Sequence, residues 1–357
     1  LREAIESSLG ISAELQRLFV DAEEVLESYE VPLKDTFTTE PLVVTVVAGE
    51  VLEEFILEHG WSQRLPARLR KEKTTLKMTA TSCYRFRCRW TGKKVLVTFH
   101  EFLLKHAPDF SHVPTVAKDV FLMKQFNHPN LVKLLDVPPI STPHFCMITE
   151  WMDTNLARII SSKQELVEDH CRYFTYQILE ALCYLHSAHV VYFHLTSWKV
   201  LLKANCDLKL KDLEDVREMG MTGGAGFLLD RPTYRAPETF LSLPEDEEPI
   251  YGACDLWSTG CLLYEMYMRK SLFTSSTALN QLKLMCNMLG RPEEASWFRG
   301  RSRELLENQV LPAAEHDGDG GDGPVTVSWS ELLPKASEEG CQLMQQMILW
   351  NPSSRCE

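Results

Sequence analysis

Two blocks in the second half of the chain constrain its fold more than any other feature: Thr233-Tyr-Arg-Ala-Pro-Glu238 and, a short way on, Asp255-Leu-Trp-Ser-Thr-Gly-Cys261. They belong to an ordered series. Asn127-His-Pro-Asn-Leu-Val-Lys-Leu134 and Tyr176-Gln-Ile-Leu-Glu-Ala-Leu-Cys-Tyr-Leu-His186 precede them, and Leu289-Gly-Arg-Pro292 and Asn351-Pro-Ser-Ser-Arg355 follow. One isolated motif is weak evidence, whereas several in fixed order commit most of a chain to one architecture. The 357 residues suit roughly two domains. An apolar content of 45% with 24% charged residues is enough for a sizeable core.

From about Thr74 to its end the chain resembles the CMGC group of protein kinases, the cyclin-dependent and MAP kinase-like branch. The resemblance implies a bilobal α+β protein-kinase-like fold over residues 74–357. It also implies structural roles. Glu238 pairs with Arg355 to hold the end of the activation segment, while Asp255 and Trp257 lie on the helix that anchors the catalytic loop. None of these four performs chemistry.

Phosphoryl transfer rests on positioning and on stabilising spread negative charge, and by the resemblance most of the usual parts are replaced. A phosphate-covering loop needs glycine for close backbone approach. No glycine occurs between Gly60 and Gly92, and the corresponding strand reads Thr79-Ala-Thr-Ser-Cys-Tyr-Arg-Phe86. The strand lysine is replaced in Val95-Leu-Val-Thr98, and Asp119 stands for the helix glutamate that would pair with it, with no expected partner. In Phe193-His-Leu-Thr-Ser-Trp-Lys-Val200, His194 falls at the catalytic aspartate and Lys199 at the magnesium-binding asparagine. The metal-binding Asp-Phe-Gly becomes Asp212-Leu-Glu214, which keeps one carboxylate, Asp212, and puts Glu214 where glycine is usual. An ammonium does not ligate magnesium, and Thr98 cannot hold phosphate by charge. Trp198 and Phe193 add bulk and suggest a packed site. Lys93, Lys94, Lys199 and Lys211 read as surface lysines, and His194 as a packed or solvated imidazole beside its reading as a base near neutral pH.

The N-terminal stretch has a different pattern. A helical face of Ala4, Ile5 and Leu9 ends at Gly10, then come Leu15-Gln-Arg-Leu-Phe-Val20 and the β-branched run Leu42-Val-Val-Thr-Val-Val47. This order over residues 1–49 resembles ubiquitin, a β-grasp module whose first hairpin would lie before Leu1. By the resemblance, Phe19 and Val43 fall on the apolar patch through which ubiquitin is read, beside their plain reading as residues of a half-buried sheet. Residues 50–73 read as a connector with a basic run from Arg64 to Lys73, solvated by default. Glu315-His-Asp-Gly-Asp-Gly-Gly-Asp-Gly323 reads as a flexible acidic loop and lacks calcium-ligand spacing.

A net charge of −13 argues against a general nucleic-acid surface. No apolar run approaches the length of a membrane span. Eleven cysteines without a C-x-x-C pair suit a reducing cytosol, with Cys183, Cys261 and Cys286 read as small buried hydrophobes. Taken together, the sequence leads to an expectation of a non-enzyme: a cytoplasmic pseudokinase scaffold. It would have no cofactor, metal, nucleic-acid, membrane or small-molecule ligand, and its partners would be subunits of a larger assembly, of cytoskeletal or ciliary type. Two alternatives stay open, a nucleotide-sensing allosteric protein and an atypical active serine/threonine kinase.

Overall fold

Backbone periodicity in the computed structural model sorts the chain into strands and helices over residues 69–78, 81–88, 93–100, 112–137, 145–220, 232–241, 252–275, 277–290, 292, 307–308 and 328–356, which are the residues it describes. The module expected over residues 1–49, with Phe19 and Val43, lies outside them, as do the acidic loop at 315–323 and Gly223 to Gly226. The chain divides into two compact units, residues 1–153 with 212–214, and residues 154–211 with 215–357.

The first unit is built on an antiparallel five-stranded sheet. Its strands are β1 (Leu69–Met78), β2 (Thr81–Cys88), β3 (Lys94–His100), β4 (Leu134–Asp136) and β5 (Phe145–Glu150), in the spatial order β1-β2-β3-β5-β4. The β-branched run in β3 suits a pleated, half-buried surface, and Val95 and Val97 are both buried. The register sets Thr98 opposite Cys83 on one side and Met147 on the other. β1 begins at Leu69, inside the stretch read from sequence as a solvated connector. Helix α1 (His112–Gln125) buries Val120, Phe121, Leu122 and Met123.

The second unit is mainly helical, with α2 (Leu156–Ser161), α3 (Glu168–Ser187), α4 (Pro237–Leu241), α5 (Ala253–Met268), α6 (Ala278–Leu289), α7 (Trp329–Leu332) and α8 (Glu338–Met347). Short strands stitch its loops. β6 (Thr154–Asn155), β8 (Val200–Leu202) and β9 (Leu208–Leu210) form one ladder, and β7 (Val190–Val191) pairs with β10 (Arg217–Glu218). In α3 the residues Cys171, Phe174, Ile178, Ala181, Leu182 and Leu185 are buried at helical spacing, so one stripe faces the core. Cys183 falls on the opposite face and is exposed, which corrects its reading as a buried hydrophobe, while Cys261 and Cys286 are buried.

α5 is buried nearly all round, as a helix at the centre of a unit must be. Gly260 makes this packing feasible, because a Cβ there would lie 2.7 Å from the Ile348 side chain. The helix ends at Arg269 in the left-handed region, φ 57°, with its N–H bonded to the Glu265 carbonyl. The Arg269 guanidinium then reaches the carbonyls of Ile159 (2.7 Å) and Ile160 (3.0 Å) in α2 and that of Gln164. Cations are favoured at such helix C-termini. Among the described residues no helix is long and apolar enough to cross a membrane.

Candidate active site

Asp255, in the first turn of α5, is completely buried, and a buried carboxylate is tolerated only when fully bonded. Its Oδ1 accepts the Phe193 N–H at 2.7 Å, and its Oδ2 accepts the Tyr192 N–H at 2.8 Å and contacts His186 Nε2 at 2.8 Å. Gly252 leaves room for that imidazole, since a Cβ at 252 would come within 2.5 Å of the ring. These bonds fix the loop 192–199 from below.

The backbone they fix is strained. Phe193 has φ 67°, a left-handed conformation that is a genuine outlier for a bulky residue. Such conformations cost about 1–3 kcal/mol and persist only where the surroundings over-determine them. Beyond the Asp255 bond, Phe193 is buried, stacks on the His194 ring at 6.0 Å, and lies under the Arg217 guanidinium at 5.7 Å. Arg217 in turn bonds the carbonyls of Asp215 at 3.0 Å and Val216 at 3.2 Å.

Three titratable side chains meet on this loop. The Lys199 ammonium contacts Asp215 Oδ2, and His194 Nδ1 lies 3.6 Å from the same oxygen. At 3.6 Å that contact is long for a hydrogen bond. Burial alone would raise the Asp215 carboxyl. The neighbouring His194 and Lys199 outweigh it and hold the group well below the usual carboxylate range. Lys199 also lies 5.9 Å from the centre of the Tyr192 ring, and the Tyr192 hydroxyl donates to the Lys211 carbonyl. Lys199 is therefore a partly buried ion-pair member, which corrects its reading as a surface lysine; its side chain and that of His194 are each 14% exposed. Trp198, by contrast, is 47% exposed and does not pack the site as its bulk suggests.

A second network supports the loop. The Ser197 and Tyr234 hydroxyls are 2.8 Å apart, and the Tyr234 hydroxyl donates to Glu265 Oε2 at 2.5 Å. Burial raises the Glu265 carboxyl above its ordinary value despite that bond, and burial with the nearby Glu265 pushes the Tyr234 phenol up as well. Ser258 donates to the Tyr234 carbonyl at 2.8 Å.

Within the first unit, Thr98 is 6% exposed in the middle of the sheet. Asp119 has a partner that the sequence did not suggest: its Oδ1 accepts the Leu213 N–H at 2.8 Å. Its side chain serves the segment Asp212 to Glu214. Asp212 adopts φ 60°, and Glu214 is half-buried. Elsewhere, Arg355 meets Glu238 through two bonds of 2.6 and 2.8 Å, and its guanidinium lies 5.0 Å from the centre of the Trp257 ring. Asp215 and Arg217 were missed from sequence. The only signal was a further carboxylate directly after Asp212-Leu-Glu214, and nothing local told which cations it would meet.

A magnesium pair does not fit these residues. Magnesium asks for near-octahedral oxygen ligands, whereas Lys199 supplies only N–H donors. Among the described residues no group of three or more His, Cys, Asp or Glu is arranged to hold a metal ion. Two unit charges about 4 Å apart interact by about 4 kcal/mol at an effective dielectric of 20, and a divalent ion beside an ammonium doubles the repulsion.

The protein kinase domain family model matches residues 80–357. Mitogen-activated protein kinase spk1 of Schizosaccharomyces pombe is 37% identical over 249 residues, covering 67% of this chain and 62% of that protein. Mitogen-activated protein kinase mpkB of Aspergillus fumigatus is 34% identical over 247 residues, 67% and 66% of the two chains. Extracellular signal-regulated kinase 1 of Dictyostelium discoideum is 30% identical over 275 residues, 74% and 48%. The chain thus spans 62% of the length of the first two curated relatives it matches. These findings correct the expectation of a non-enzyme, of a pseudokinase and of a scaffold: the relatives are named as mitogen-activated protein kinases.

Proposed function

This chain belongs to the protein kinase family, and from that premise we propose that it is an atypical serine/threonine kinase of the MAP kinase-like branch, with ATP as phosphoryl donor and protein hydroxyls as acceptors. The observation that carries the reading is His194, set beside Asp215 on a loop whose strained Phe193 backbone is held by Asp255. Strain of this kind clusters at active sites. ATP replaces the sequence-based expectation that no small molecule is used.

In the proposed step the acceptor hydroxyl oxygen attacks the γ-phosphorus and the bond to the β-phosphate oxygen breaks. ADP leaves, and the hydroxyl proton passes to His194 Nε2. Nδ1, turned toward Asp215, lets that carboxylate stabilise the imidazolium that forms. Lys199, fixed on Asp215, brings positive charge to the loop.

The test is transfer of γ-labelled phosphate to a mixed Ser/Thr peptide pool by the full chain, run in parallel with magnesium and with excess EDTA. His194→Ala should lower the rate by about 10²–10⁴, the usual worth of a general base, and Asp215→Asn by less. Label no higher than a protein-free blank would sink the reading.

The same proposal takes residues 1–49 as a ubiquitin-like module, 50–73 as a connector and 74–357 as the catalytic domain, with Phe19 and Val43 offered to protein partners. It takes the cytoplasm, including cytoskeletal or ciliary assemblies, as the setting. The free, buried Cys171, Cys254 and Cys261 suit a reducing compartment.

A further inference from the structure

We propose that the Trp198 indole recognises the acceptor protein by taking a large apolar side chain set within about four residues of the hydroxyl that is phosphorylated. The inference deepens the proposed phosphotransfer by naming its acceptor class, and it rests on that reading.

Trp198 stands apart from the other bulky apolar residues of its loop. Tyr192, Phe193 and Leu195 are buried, whereas Trp198 is 47% exposed. Turn chemistry does not call for an indole at this point. The Lys199 N–H closes on the Thr196 carbonyl at 3.0 Å, so Ser197 and Trp198 form the corners of a tight turn. Small polar residues and glycine suit such corners best. An indole left half in water keeps apolar area that association can bury.

The turn that presents it is fixed on both sides. The Ser197 carbonyl accepts the Ala157 N–H at 3.1 Å, and the buried Ser197 hydroxyl lies 2.8 Å from that of Tyr234. On the other side the Lys199 carbonyl accepts the Lys211 N–H at 3.1 Å, and its ammonium is held by Asp215. A side chain offered from an ordered backbone gives up less freedom on binding. Tryptophan is also prominent among the residues that carry interface energy.

The place of Trp198 in the chain sets where its ligand lies. It follows His194, the proposed base, on the same loop. Four residues of chain span at most about 14 Å, and the turn shortens that, so an extended acceptor covers it in about four residues. The indole has wide apolar faces and a single N–H donor, which suits an uncharged apolar side chain. A cation can also lie on an aromatic face. Here, however, the Asp215 carboxylate that meets this loop is already engaged by Lys199.

The experiment measures label transfer from γ-labelled ATP by the full chain to synthetic peptides. Each holds one serine in an Ala/Gly background, with Phe, Ala, Arg or Glu placed in turn at each of about four positions on either side. At one position or more, kcat/KM for the Phe peptide should exceed that for the Ala peptide by about tenfold, the scale of burying one large apolar side chain. Trp198→Ala should bring that ratio close to one, and Trp198→Phe should keep most of it. Damage to the loop alone would slow both peptides and leave the ratio in place. Label without apolar preference at any position, a preference for arginine, or an apolar preference unchanged in Trp198→Ala would each overturn the inference and leave the kinase reading standing. Label on no peptide overturns both. The scan on the native chain keeps the inference open to refutation even where a variant fails to fold.

Discussion

The Asp255 carboxylate holds Phe193 in a left-handed turn: Oδ1 accepts the Phe193 N–H at 2.7 Å while φ at Phe193 is 67°. Because Oδ2 also takes the Tyr192 N–H and meets His186, removal of this one side chain strands several buried donors. Each unsatisfied buried group costs about 1–3 kcal/mol. Asp255→Ala should therefore lower unfolding stability by about 3–5 kcal/mol, read as a shift of the urea midpoint. A loss below about 1 kcal/mol, the worth of a single ordinary hydrogen bond, would contradict the arrangement.

Arg355 joins Glu238 through its two terminal guanidinium nitrogens and also bonds the carbonyls of Leu349 and Ala253, each at 2.9 Å. Breaking such a buried pair from one side costs about 3–5 kcal/mol. Arg355→Ala should show that loss in a denaturant melt. Arg355→Lys should recover little of it, because an ammonium cannot reproduce a planar fork. Full recovery with lysine would mean that charge alone holds the two segments together.

Gly260→Ala tests the packing of α5 against the C-terminal segment. The added methyl would sit 2.7 Å from Ile348 Cδ1 and 3.1 Å from Met347 Cβ. Overpacking of this kind costs about 1–3 kcal/mol. Ile348→Ala made in the same chain should return part of the loss, giving a coupling energy of at least about 0.5 kcal/mol in a double-mutant cycle. Simple additivity would place the clash elsewhere.

Acid stability should report on Asp215. Its folded-state carboxyl titrates below the ordinary range, and in the unfolded chain it titrates near about 3.9. The stabilisation is then fully present above the unfolded value and is lost as pH falls through the folded one. Asp215→Asn should be less stable than the parent at neutral pH, and the two stability curves should converge as pH drops below about 4. Curves that coincide at neutral pH, or that keep a constant gap well below about pH 4, would show that the ion cluster contributes nothing.

What could be read from sequence followed from how locally each feature is encoded. The apolar spacing of α3, the dense block that opens α5, and the letters at Glu238, Asp255 and Arg355 are local patterns, and they led to the correct family. The partner of Asp119 could not be read, because Leu213 lies far along the chain and meets it only through folding. Asp215 and Arg217 were invisible for the same reason. Cys183 and Trp198 were misjudged because apolar neighbours in sequence say nothing about which face of a helix or turn a side chain occupies. The expectation of a non-enzyme failed differently: it weighed the replaced positions one by one, whereas the relatives matched over the whole domain are named as mitogen-activated protein kinases.

Arg269 gives the second unit a mechanical property that neither helix has alone. The residue that closes α5 also binds the last carbonyls of α2 and that of Gln164 beyond it. The end of α2 therefore cannot fray without releasing the stop of α5, and the two termini open as one cooperative segment. Amide protons at the C-terminal turn of α2, a helix of only six residues, should exchange on the slow timescale of the central helix instead of the fast one that its length alone would dictate.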